Sequence, residues 1–275
     1  MLFILRWIPA RLKLWIYTSL SRLLPEEQGG AGGKVHFFKF RIPLVLKRSD
    51  RIESTEADAL RFLNRVVPHL PIPKLIDSFR IDDVVYTLMT RLPGHNLTQL
   101  DREEEFTEEA MKPIVQDVLD IIEELWKVPQ PAELNGQVML SASGGGLPHP
   151  VAFHESLGGP YPSTYDCYKT MVMNMSAHPP GHFNPILKDK IVWVPTDLTM
   201  RNVLVHNGRV SGMIDWEDSG WLPRHWFLHT LRFPRPGCEG AWARYWYFTH
   251  RFEPEIEEAF DASNASGVLT YFLCP

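Results

Sequence analysis

A predicted β-hairpin restricts the fold of this chain more than any other segment does. In "NVLVHNGRVSGMI", which begins at Asn202, two short apolar strands flank Asn207-Gly208, the dipeptide that most strongly favours a two-residue type I′ turn. Counting outward from the turn predicts the pairs His206–Arg209, Val205–Val210 and Leu204–Ser211, with Asn202 near Met213. The hairpin therefore brings Asn202 and Asp215 to the same open end, and Asp197 lies in the loop that enters it.

The three polar side chains at this open end suit phosphoryl transfer. The amide oxygen of Asn202 and the carboxylate of Asp215 are hard oxygen ligands of the kind that Mg²⁺ takes together with water and substrate phosphates. The carboxylate of Asp197, which the metal does not need, can accept the proton of an attacking hydroxyl. The competing interpretation is structural, with Asp197 and Asn202 as loop caps and Asp215 as a strand end. The spacing of all three around one hairpin favours a site.

The same segment resembles the aminoglycoside phosphotransferase family, also called the phosphotransferase enzyme family. "DLTMRNVLV" and "MIDWEDSGWLPRHW" are similar to the fungal members, whose pattern is His-x-Asp-Leu-x-x-x-Asn-[Ile/Val]-Leu-Val, a Gly turn and Ile-Asp-Trp-Glu-Asp. The resemblance implies a two-lobed protein-kinase-like α+β fold, with a small antiparallel-sheet N-lobe and a larger, mainly helical C-lobe. It also implies that Asp197 is the catalytic base, that Asn202 and Asp215 bind Mg²⁺, and that the segment Trp216–Asp218 helps to place the following helix.

The front half of the chain carries residues that fit the nucleotide site of such a fold. "KVHFFKF" and "PLVLKRS" predict two strands, "ESTEADALRFLNRVV" predicts a helix that Ser54 or Thr55 caps, and two more strands follow, the second being Val84–Thr90. In the family, a strand Lys contacts the α- and β-phosphates and pairs with a helix Glu. Lys47 and Glu56 fit these two roles. Backbone groups of about Thr90 to Leu92, at the hinge between the lobes, are expected to meet adenine.

The resemblance predicts ATP-dependent transfer of the γ-phosphoryl group to a hydroxyl of a small-molecule acceptor, with ATP and Mg²⁺ as cofactors. The expected organisation is an N-terminal amphipathic helix with a Gly-rich joint at 1–33, a nucleotide-binding N-lobe at 34–92 and a catalytic, acceptor-binding C-lobe at 93–275. The sequence does not identify the acceptor. The Gly/Pro-rich loop Ser141–Ser163 and the segment Trp221–Trp226 are the predicted lining of its pocket.

Two features depart from the family pattern. Pro195 stands where the family has His two residues before the catalytic Asp, and proline fixes φ and removes a backbone donor. Alternatively the loop is two residues short, since a His-containing pair inserted between Thr196 and Asp197 would restore the pattern. A nucleotide-binding pseudokinase or interaction protein is therefore the alternative function. The second departure is the lack of G-x-G-x-x-G; "GGAGGK" precedes the first predicted strand.

The rest of the C-lobe is predicted to be largely helical. Apolar residues recur at helical intervals within Thr107–Trp126, with Pro113 in the first or second turn. "STYDCYKTMVMNM" predicts another helix, and residues 239–260 predict one or two closing helices.

Composition excludes several other classes of protein. A chain with 44% hydrophobic and 22% charged residues is ordinary for a soluble globular protein, and a net charge of -5 argues against a nucleic-acid binder. Cys167, Cys238 and Cys274 form neither a disulfide framework nor a zinc pattern, which suits a reducing compartment such as the cytoplasm.

The first 25 residues are apolar but interrupted by Arg6, Pro9, Arg11 and Lys13, so they provide no integral membrane segment of about 18 uncharged residues and no signal peptide. Apolar residues at helical spacing predict a basic amphipathic helix docked on the protein body; they are Leu14, Ile16, Tyr17, Leu20, Leu23 and Leu24. Peripheral membrane contact through residues 1–25 is the alternative.

Overall fold

A computed structural model describes residues 7–23, 35–50, 55–102, 108–148, 157–172, 174–232, 242 and 244–267. The chain forms a small lobe built on an antiparallel sheet, followed by a larger lobe that is mainly helical. This arrangement confirms the predicted α+β fold class. The division of the chain at 1–33, 34–92 and 93–275 stays a prediction.

The small lobe holds a five-stranded antiparallel sheet in the order β1-β2-β3-β5-β4. Its strands are β1 (Ser21–Leu23), β2 (Val35–Phe38), β3 (Leu44–Ser49), β4 (Leu75–Ile81) and β5 (Val84–Thr90), and its helices are α1 (Ala10–Ser19) and α2 (Glu56–Val66). The predicted strands and the predicted helix after them are confirmed. Lys47 pairs with Thr87 of β5, so it lies in the middle of the sheet rather than at an exposed edge.

Helix α2 buries the face that its periodicity predicts. Ala59, Leu60 and Leu63 are completely buried, and Val67 just beyond the helix is nearly so. Thr55 occupies the N-cap position, but its side chain does not cap the helix, and Ser54 lies outside the described residues. Glu56 is therefore the first helical residue, placed by packing of the apolar face rather than by a side-chain cap.

The N-terminal helix docks on the protein body as predicted, but it is shorter than the spacing suggested. Helix α1 ends at Ser19, and the chain then enters β1, so Leu23 belongs to a strand; Leu24 lies outside the described residues. The helix ends early because Ser21–Leu23 pairs with β2 through backbone hydrogen bonds. Within the described ranges, every helix is too short or too polar to cross a membrane.

The large lobe contains six helices among the described residues and several short strand pairs. The helices are α3 (Leu97–Arg102), α4 (Glu108–Trp126), α5 (Thr164–Met171), α6 (Asn184–Lys188), α7 (His225–Arg232) and α8 (Pro254–Ala265). The strands are β6 (His95–Asn96), β7 (Leu147–Pro148), β8 (Leu157–Gly158), β9 (Ile191–Val194), β10 (Val203–His206), β11 (Arg209–Met213) and β12 (Gly220–Pro223). They form three sheets: β11-β10-β6, β12-β9 and β7-β8.

The predicted C-lobe helices are confirmed where the structure describes them. In α4 the apolar face is buried and Pro113 lies within the second turn; the buried residues include Ile114, Val115, Val118, Ile122 and Leu125. Ser163 caps α5 by accepting a hydrogen bond from the Asp166 amide at 3.2 Å. Of the predicted closing helices, α8 and a π-helical turn at Tyr245–Thr249 are described, and 239–241 lies outside the described residues.

The hairpin forms with one correction to its predicted register. His206 pairs with Arg209 and Val205 with Val210 as predicted, but Leu204 pairs with Gly212 because Ser211 forms a β-bulge. The Ser211 hydroxyl donates a 2.6 Å hydrogen bond to the carbonyl oxygen of Pro93, in the segment that leads into β6. A tertiary contact therefore shifts the register, and Asn202 lies opposite Ile214 rather than Met213, with 2.9 Å between its carbonyl oxygen and the Ile214 nitrogen.

An aromatic cluster joins the two lobes beside the hairpin. The ring of Phe62 on α2 stacks on Trp193 of β9 with centroids 5.1 Å apart, and contacts Trp221 of β12 at 5.2 Å. The two tryptophans also contact each other edge to face at 4.8 Å and are almost fully buried. Because α2 begins at Glu56, this packing holds that residue against the C-lobe.

Candidate functional site

Lys47 lies at the centre of a cluster of three carboxylates. Its Nζ is 2.7 Å from Oδ1 of Asp215, 3.2 Å from Oε2 of Glu56 and 3.2 Å from Oε2 of Glu217. Strand β3 supplies the lysine, helix α2 supplies Glu56, and the segment after β11 supplies the other two acids. The structure thus brings together two of the four predicted nucleotide-binding residues, Lys47 and Glu56, and one of the two predicted metal ligands, Asp215.

The cluster contains three carboxyl groups and one ammonium group, and most of it is shielded from solvent. Burial alone would lower the pKa of Lys47, but attraction to Glu56, Asp215 and Glu217 raises it well above its ordinary value, so the ammonium stays charged. Burial, together with Asp215 and Glu217, raises the pKa of Glu56 to about 7 despite the neighbouring lysine. An additional cation placed next to these acids would relieve the excess negative charge.

A left-handed backbone conformation directs Asp215 toward Lys47. Its φ is 63°, which is uncommon for a residue other than glycine and concentrates at functional sites. On one side Ile214 is held by the carbonyl of Asn202, and on the other side Trp216 is buried, with its indole donating to the Met213 carbonyl at 2.9 Å. The strain is sustained because both flanking residues are fixed.

Asp197 and Asn202 are in direct contact at the open end of the hairpin. The amide nitrogen of Asn202 donates to Oδ2 of Asp197 at 2.8 Å and to the Asp197 carbonyl oxygen at 2.6 Å. The Thr199 amide also donates to that carbonyl, at 2.9 Å, so the loop is folded into tight turns. Because the amide nitrogen of Asn202 is used in this way, its amide oxygen is the atom that can face a cation.

The oxygen donors of Asn202 and Asp215 suit Mg²⁺, which needs few protein ligands, better than a metal that takes all its ligands from the protein. Asp215 and Asn202 offer one carboxylate and one amide oxygen, a set that Mg²⁺ completes with water and phosphate oxygens. The described ranges contain no group of three or more His, Cys, Asp or Glu residues arranged to hold a metal. A cation here would therefore depend on a bound nucleotide for much of its coordination.

Pro195 does not separate the predicted base from the hairpin. It follows β9 directly and is buried, and the next side chain, Thr196, donates a 2.7 Å hydrogen bond to the Asp218 carbonyl oxygen. The loop is thereby tied to the segment after Asp215, and Asp197 remains against Asn202. The missing family histidine has not moved these two residues apart.

The hinge residues differ in how they could face a nucleotide. The Thr90 amide donates to the carbonyl oxygen of Lys74 at 2.9 Å, and the Thr90 hydroxyl accepts from the Lys74 amide at 2.8 Å. The Thr90 N–H is therefore already used inside the small-lobe sheet. The side chain of Leu92 covers Gly212 of β11 so closely that a Cβ at position 212 would clash with it. Leu92 thus joins the hinge to the hairpin strand that leads to Asp215.

Glu217 and Ser49 belong to this site, although sequence reasoning gave neither a role in the site chemistry. The Ser49 hydroxyl donates a 2.6 Å hydrogen bond to Oε1 of Glu217, whose other oxygen contacts Lys47; both residues are buried. The sequence does carry a signal for Ser49, because residues two apart on a strand share a face and Ser49 is two residues after Lys47. The pairing with Glu217 needs the tertiary structure.

The acceptor pocket stays a prediction, but two of the tryptophans in its predicted lining are buried. Trp221 and Trp226 are buried at 1% and 5% exposure and pack in the core, so they do not line an open pocket. Trp221 packs on Phe62 and Trp193, and the Trp226 indole donates to the Tyr168 hydroxyl at 3.1 Å, so both side chains belong to the core. Residues 149–156 of the Ser141–Ser163 loop lie outside the described residues.

The stretch 175–263, which contains the hairpin, matches the model of the phosphotransferase enzyme family. That stretch includes Asp197, Asn202 and Asp215, whereas Lys47 and Glu56 lie outside it. A search of curated protein sequences finds no matching relative.

Solved structures of aminoglycoside phosphotransferases share the fold over almost the whole chain. A thermostable mutant of APH(4)-Ia, in a ternary complex with AMP-PNP and hygromycin B, is 18% identical, with a TM-score of 0.57 over 96% of this chain and 88% of that chain. The gentamicin complex of APH(2″)-IIa is 14% identical, with a TM-score of 0.55 over 93% of this chain and 86% of that chain. The streptomycin–ATP complex of APH(2″)-IIa is 13% identical, with a TM-score of 0.54 over 94% and 84%.

These structural likenesses confirm the predicted two-lobed, protein-kinase-like fold. The family match at residues 175–263 confirms the resemblance identified in the sequence for that stretch of the chain.

Proposed function

We propose that this protein is an ATP-dependent phosphotransferase that moves the γ-phosphoryl group to a hydroxyl of a small-molecule acceptor. The observation that carries this proposal is the contact of Lys47 with both Glu56 and Asp215. It places the proposed phosphate-binding lysine of the small lobe 2.7 Å from a proposed metal ligand of the large lobe. A nucleotide bound between the lobes would meet both.

Each residue has one role in this proposal. Lys47 holds the α- and β-phosphates and Glu56 orients it, while Asp215 and Asn202 hold Mg²⁺. Bound Mg²⁺ would neutralise charge on the phosphates. Asp197 accepts the proton of the acceptor hydroxyl. Its contact with Asn202 keeps it close to the metal ligands.

The adenine end of the nucleotide is proposed to lie against the hinge, at Thr90 and Leu92. Because the Thr90 amide hydrogen is used by Lys74, a hydrogen bond from the backbone N–H to adenine would come from Leu92 instead. The Leu92 side chain, packed on Gly212, would form part of the apolar wall of the adenine site.

The proposed acceptor is a small molecule that carries a hydroxyl. Solved structures that share the fold contain aminoglycosides, namely hygromycin B, gentamicin and streptomycin. Sequence identities of 13 to 18% carry the fold and not the choice of acceptor. Aminoglycosides are therefore one class in an acceptor screen, beside choline-like alcohols, sugars and amino-acid derivatives.

Thermal melting with ATP, with and without Mg²⁺, tests the nucleotide site directly. A ligand that binds only the folded state stabilises it by about 2.7 kcal/mol at one hundred times its dissociation constant, which raises the melting temperature by several degrees. We expect Mg²⁺-dependent stabilisation of the wild type and its loss in Asp215→Ala. Wild-type protein whose melting temperature is the same with and without Mg²⁺-ATP would refute the proposal.

A nucleotide-binding protein without transferase activity is the second candidate, and the buried Pro195 in place of a histidine is the observation that favours it. ADP formation separates the two. ADP is released from ATP when the phosphoryl group passes to an acceptor or to water. ADP release that is abolished in Asp197→Asn would support transferase activity. Mg²⁺-ATP binding with no ADP formation across the acceptor screen would favour the second candidate.

A further inference from the structure

Helix α1 buries a lysine on one face and exposes large apolar side chains on the other. Lys13 and Tyr17, one helical turn apart, are buried against the small-lobe sheet, where both contact the carboxylate of Asp77 at about 3 Å. The opposite face carries Leu12 at 47% and Trp15 at 67% exposure. Leu14 and Ile16 pack against the small-lobe core as in an ordinary docked helix, so Leu12 and Trp15 form an additional apolar face that docking alone does not require. Burial of Lys13 is balanced by Asp77, but nothing in the described residues covers Trp15.

Trp7, just before the helix, is also exposed, at 88%, and the turn between β2 and β3 adds a third exposed aromatic residue beside the end of the helix. Lys39 joins the two, because its amide donates to the Leu20 carbonyl at 2.9 Å and its ammonium to the Ser19 carbonyl at 3.0 Å. The next residues, Phe40 and Arg41, both have φ of 57°, a costly conformation for side chains other than glycine. This strained turn leaves Phe40 at 82% exposure.

The charge around these exposed residues is one-sided. The segments 7–23 and 35–43 contain no Asp or Glu but contain Arg11, Lys13, Arg22, Lys39 and Arg41, although the whole chain carries a net charge of -5. Asp77 neutralises the charge of Lys13, so the other four cations give these two segments a net positive charge. Arg11 lies next to Leu12 on the outer face of α1, and Arg41 follows Phe40.

From this composition we infer that the face formed by Trp7, Arg11, Leu12, Trp15, Phe40 and Arg41, called here the interfacial face, binds the surface of an anionic phospholipid bilayer. Tryptophan is enriched where an apolar ring meets polar head groups, and basic side chains are attracted to anionic lipid. An apolar partner protein would account for Trp15 and Leu12 but not for the lack of acidic residues among four cations. The contact is peripheral, since the helix lies along the sheet and is held there by Tyr17 and Lys13.

The interfacial face lies on the small lobe and does not include the Lys47 cluster. Membrane attachment through it would therefore not use the residues of that cluster. This inference does not depend on the proposed transferase activity, because lipid binding can be measured without ATP.

Co-sedimentation of the full chain with vesicles tests the inference. We expect binding to phosphatidylcholine vesicles that contain phosphatidylserine, weaker binding at high salt and much weaker binding to phosphatidylcholine alone. Arg11→Gln combined with Arg41→Gln should weaken binding roughly 25-fold, since each basic residue near the surface contributes about fivefold. Trp15→Ser should weaken it about tenfold through loss of the buried ring.

Two exposed residues of the large lobe provide matched controls. Arg251→Gln removes an exposed cation and Phe248→Ser removes an exposed aromatic ring of the large lobe, and neither should change vesicle binding. Melting temperatures of all variants should stay near that of the wild type, because each replaced side chain is exposed. If Trp15→Ser lowered it, the double arginine variant would still give the answer.

Three results would overturn the inference: no sedimentation of the wild type with phosphatidylserine vesicles, equal binding to vesicles without phosphatidylserine, or equal losses in the control variants. A concentration-dependent dimer that Trp15→Ser abolishes, without any vesicle binding, would assign the face to a second copy of the chain instead.

Discussion

The Ser49 hydroxyl donates a 2.6 Å hydrogen bond to Glu217 across the boundary between the two lobes, and Glu217 in turn contacts Lys47 at 3.2 Å. A buried carboxylate with these two partners is fixed in position, so the lysine is held by acids from both lobes. The Lys47 cluster is thus fixed by contacts within the protein itself.

Lys47→Met should abolish stabilisation by Mg²⁺-ATP and also destabilise the protein alone. Removing one partner of a buried charged group typically costs about 3–5 kcal/mol, because the remaining carboxylates lose their compensation. Thermal melts and isothermal calorimetry would measure both effects. Lys13→Met is the matched control, since Lys13 is a buried lysine of the same lobe that pairs with Asp77. It should destabilise the protein and leave nucleotide affinity unchanged; equal loss of affinity in both variants would contradict the assigned role of Lys47.

Ser49→Ala should weaken nucleotide binding through Glu217. The substitution removes a hydroxyl that donates to a buried carboxylate, and loss of such a hydrogen bond typically costs about 1–3 kcal/mol of stability. Ser263→Ala is the control variant. It removes a fully buried hydroxyl that lies 2.8 Å from the Tyr168 hydroxyl, and neither residue belongs to the Lys47 cluster. Denaturant unfolding should show a loss in both variants, whereas calorimetry should show weaker Mg²⁺-ATP binding in Ser49→Ala only.

Asp197→Asn should reduce transfer while leaving nucleotide binding intact. General-base catalysis by a positioned carboxylate contributes roughly 10²–10⁴-fold, and an asparagine keeps an oxygen that can accept from Asn202. Steady-state ADP release should therefore fall by that factor in kcat, with an unchanged dissociation constant for Mg²⁺-ATP. An unaffected rate would show that another group accepts the proton.

Folding stability should fall as the pH drops below about 6.5. Burial lowers the pKa of four histidines from an ordinary value of 6.5, and they are His36, His225, His229 and His250. In this range the unfolded chain binds protons that the folded protein resists, so stability decreases with acid. Glu56 opposes the trend because its folded pKa, raised to about 7 by burial, favours proton uptake by the folded state.

Urea unfolding at several pH values would measure this dependence. His229→Leu should flatten the profile, since the pKa of His229 is lowered well below its ordinary value by burial. Glu56→Gln should make the loss below pH 6.5 steeper. A profile that stays flat from neutral pH to pH 5 in both the wild type and Glu56→Gln would show that the histidines are not held neutral.

Gly94→Ala should destabilise the protein more than Gly136→Ala does. Both glycines have left-handed φ values, 103° and 86°, so both substitutions introduce backbone strain of about 1–3 kcal/mol. Only at Gly94 would the new Cβ also clash, with the Val205 carbonyl oxygen of β10; at Gly136 the space is open. Equal losses in urea unfolding would mean that β6 can move away from β10 at little cost.

The features that the sequence predicted best depend on local periodicity or turn chemistry. The Asn207-Gly208 turn set the first two hairpin pairs correctly, and the apolar spacing in α2 and α4 identified their buried faces. The pairing of Lys47 with Glu56, which the structure shows, was predicted through a family resemblance, since each residue alone would suit a solvated strand end or helix start.

The features that the sequence could not predict depend on tertiary contacts. The bulge at Ser211 forms because Pro93 offers a carbonyl oxygen from a different segment. Ser49 and Glu217 meet only after the lobes pack, and the length of α1 is limited by the pairing of β1 with β2. The inward position of Lys13 depends on Asp77, which no helical period can show.

The aromatic cluster between the lobes has a consequence for domain motion. Phe62 ties the body of α2 to Trp193 and Trp221 of the large lobe, whereas Lys47 moves with the sheet. A hinge rotation in which α2 stays with the large lobe would therefore carry Lys47 away from Glu56. The distance from Lys47 Nζ to the Glu56 carboxylate, 3.2 Å in this conformation, is thus a natural coordinate for the degree of closure in solution.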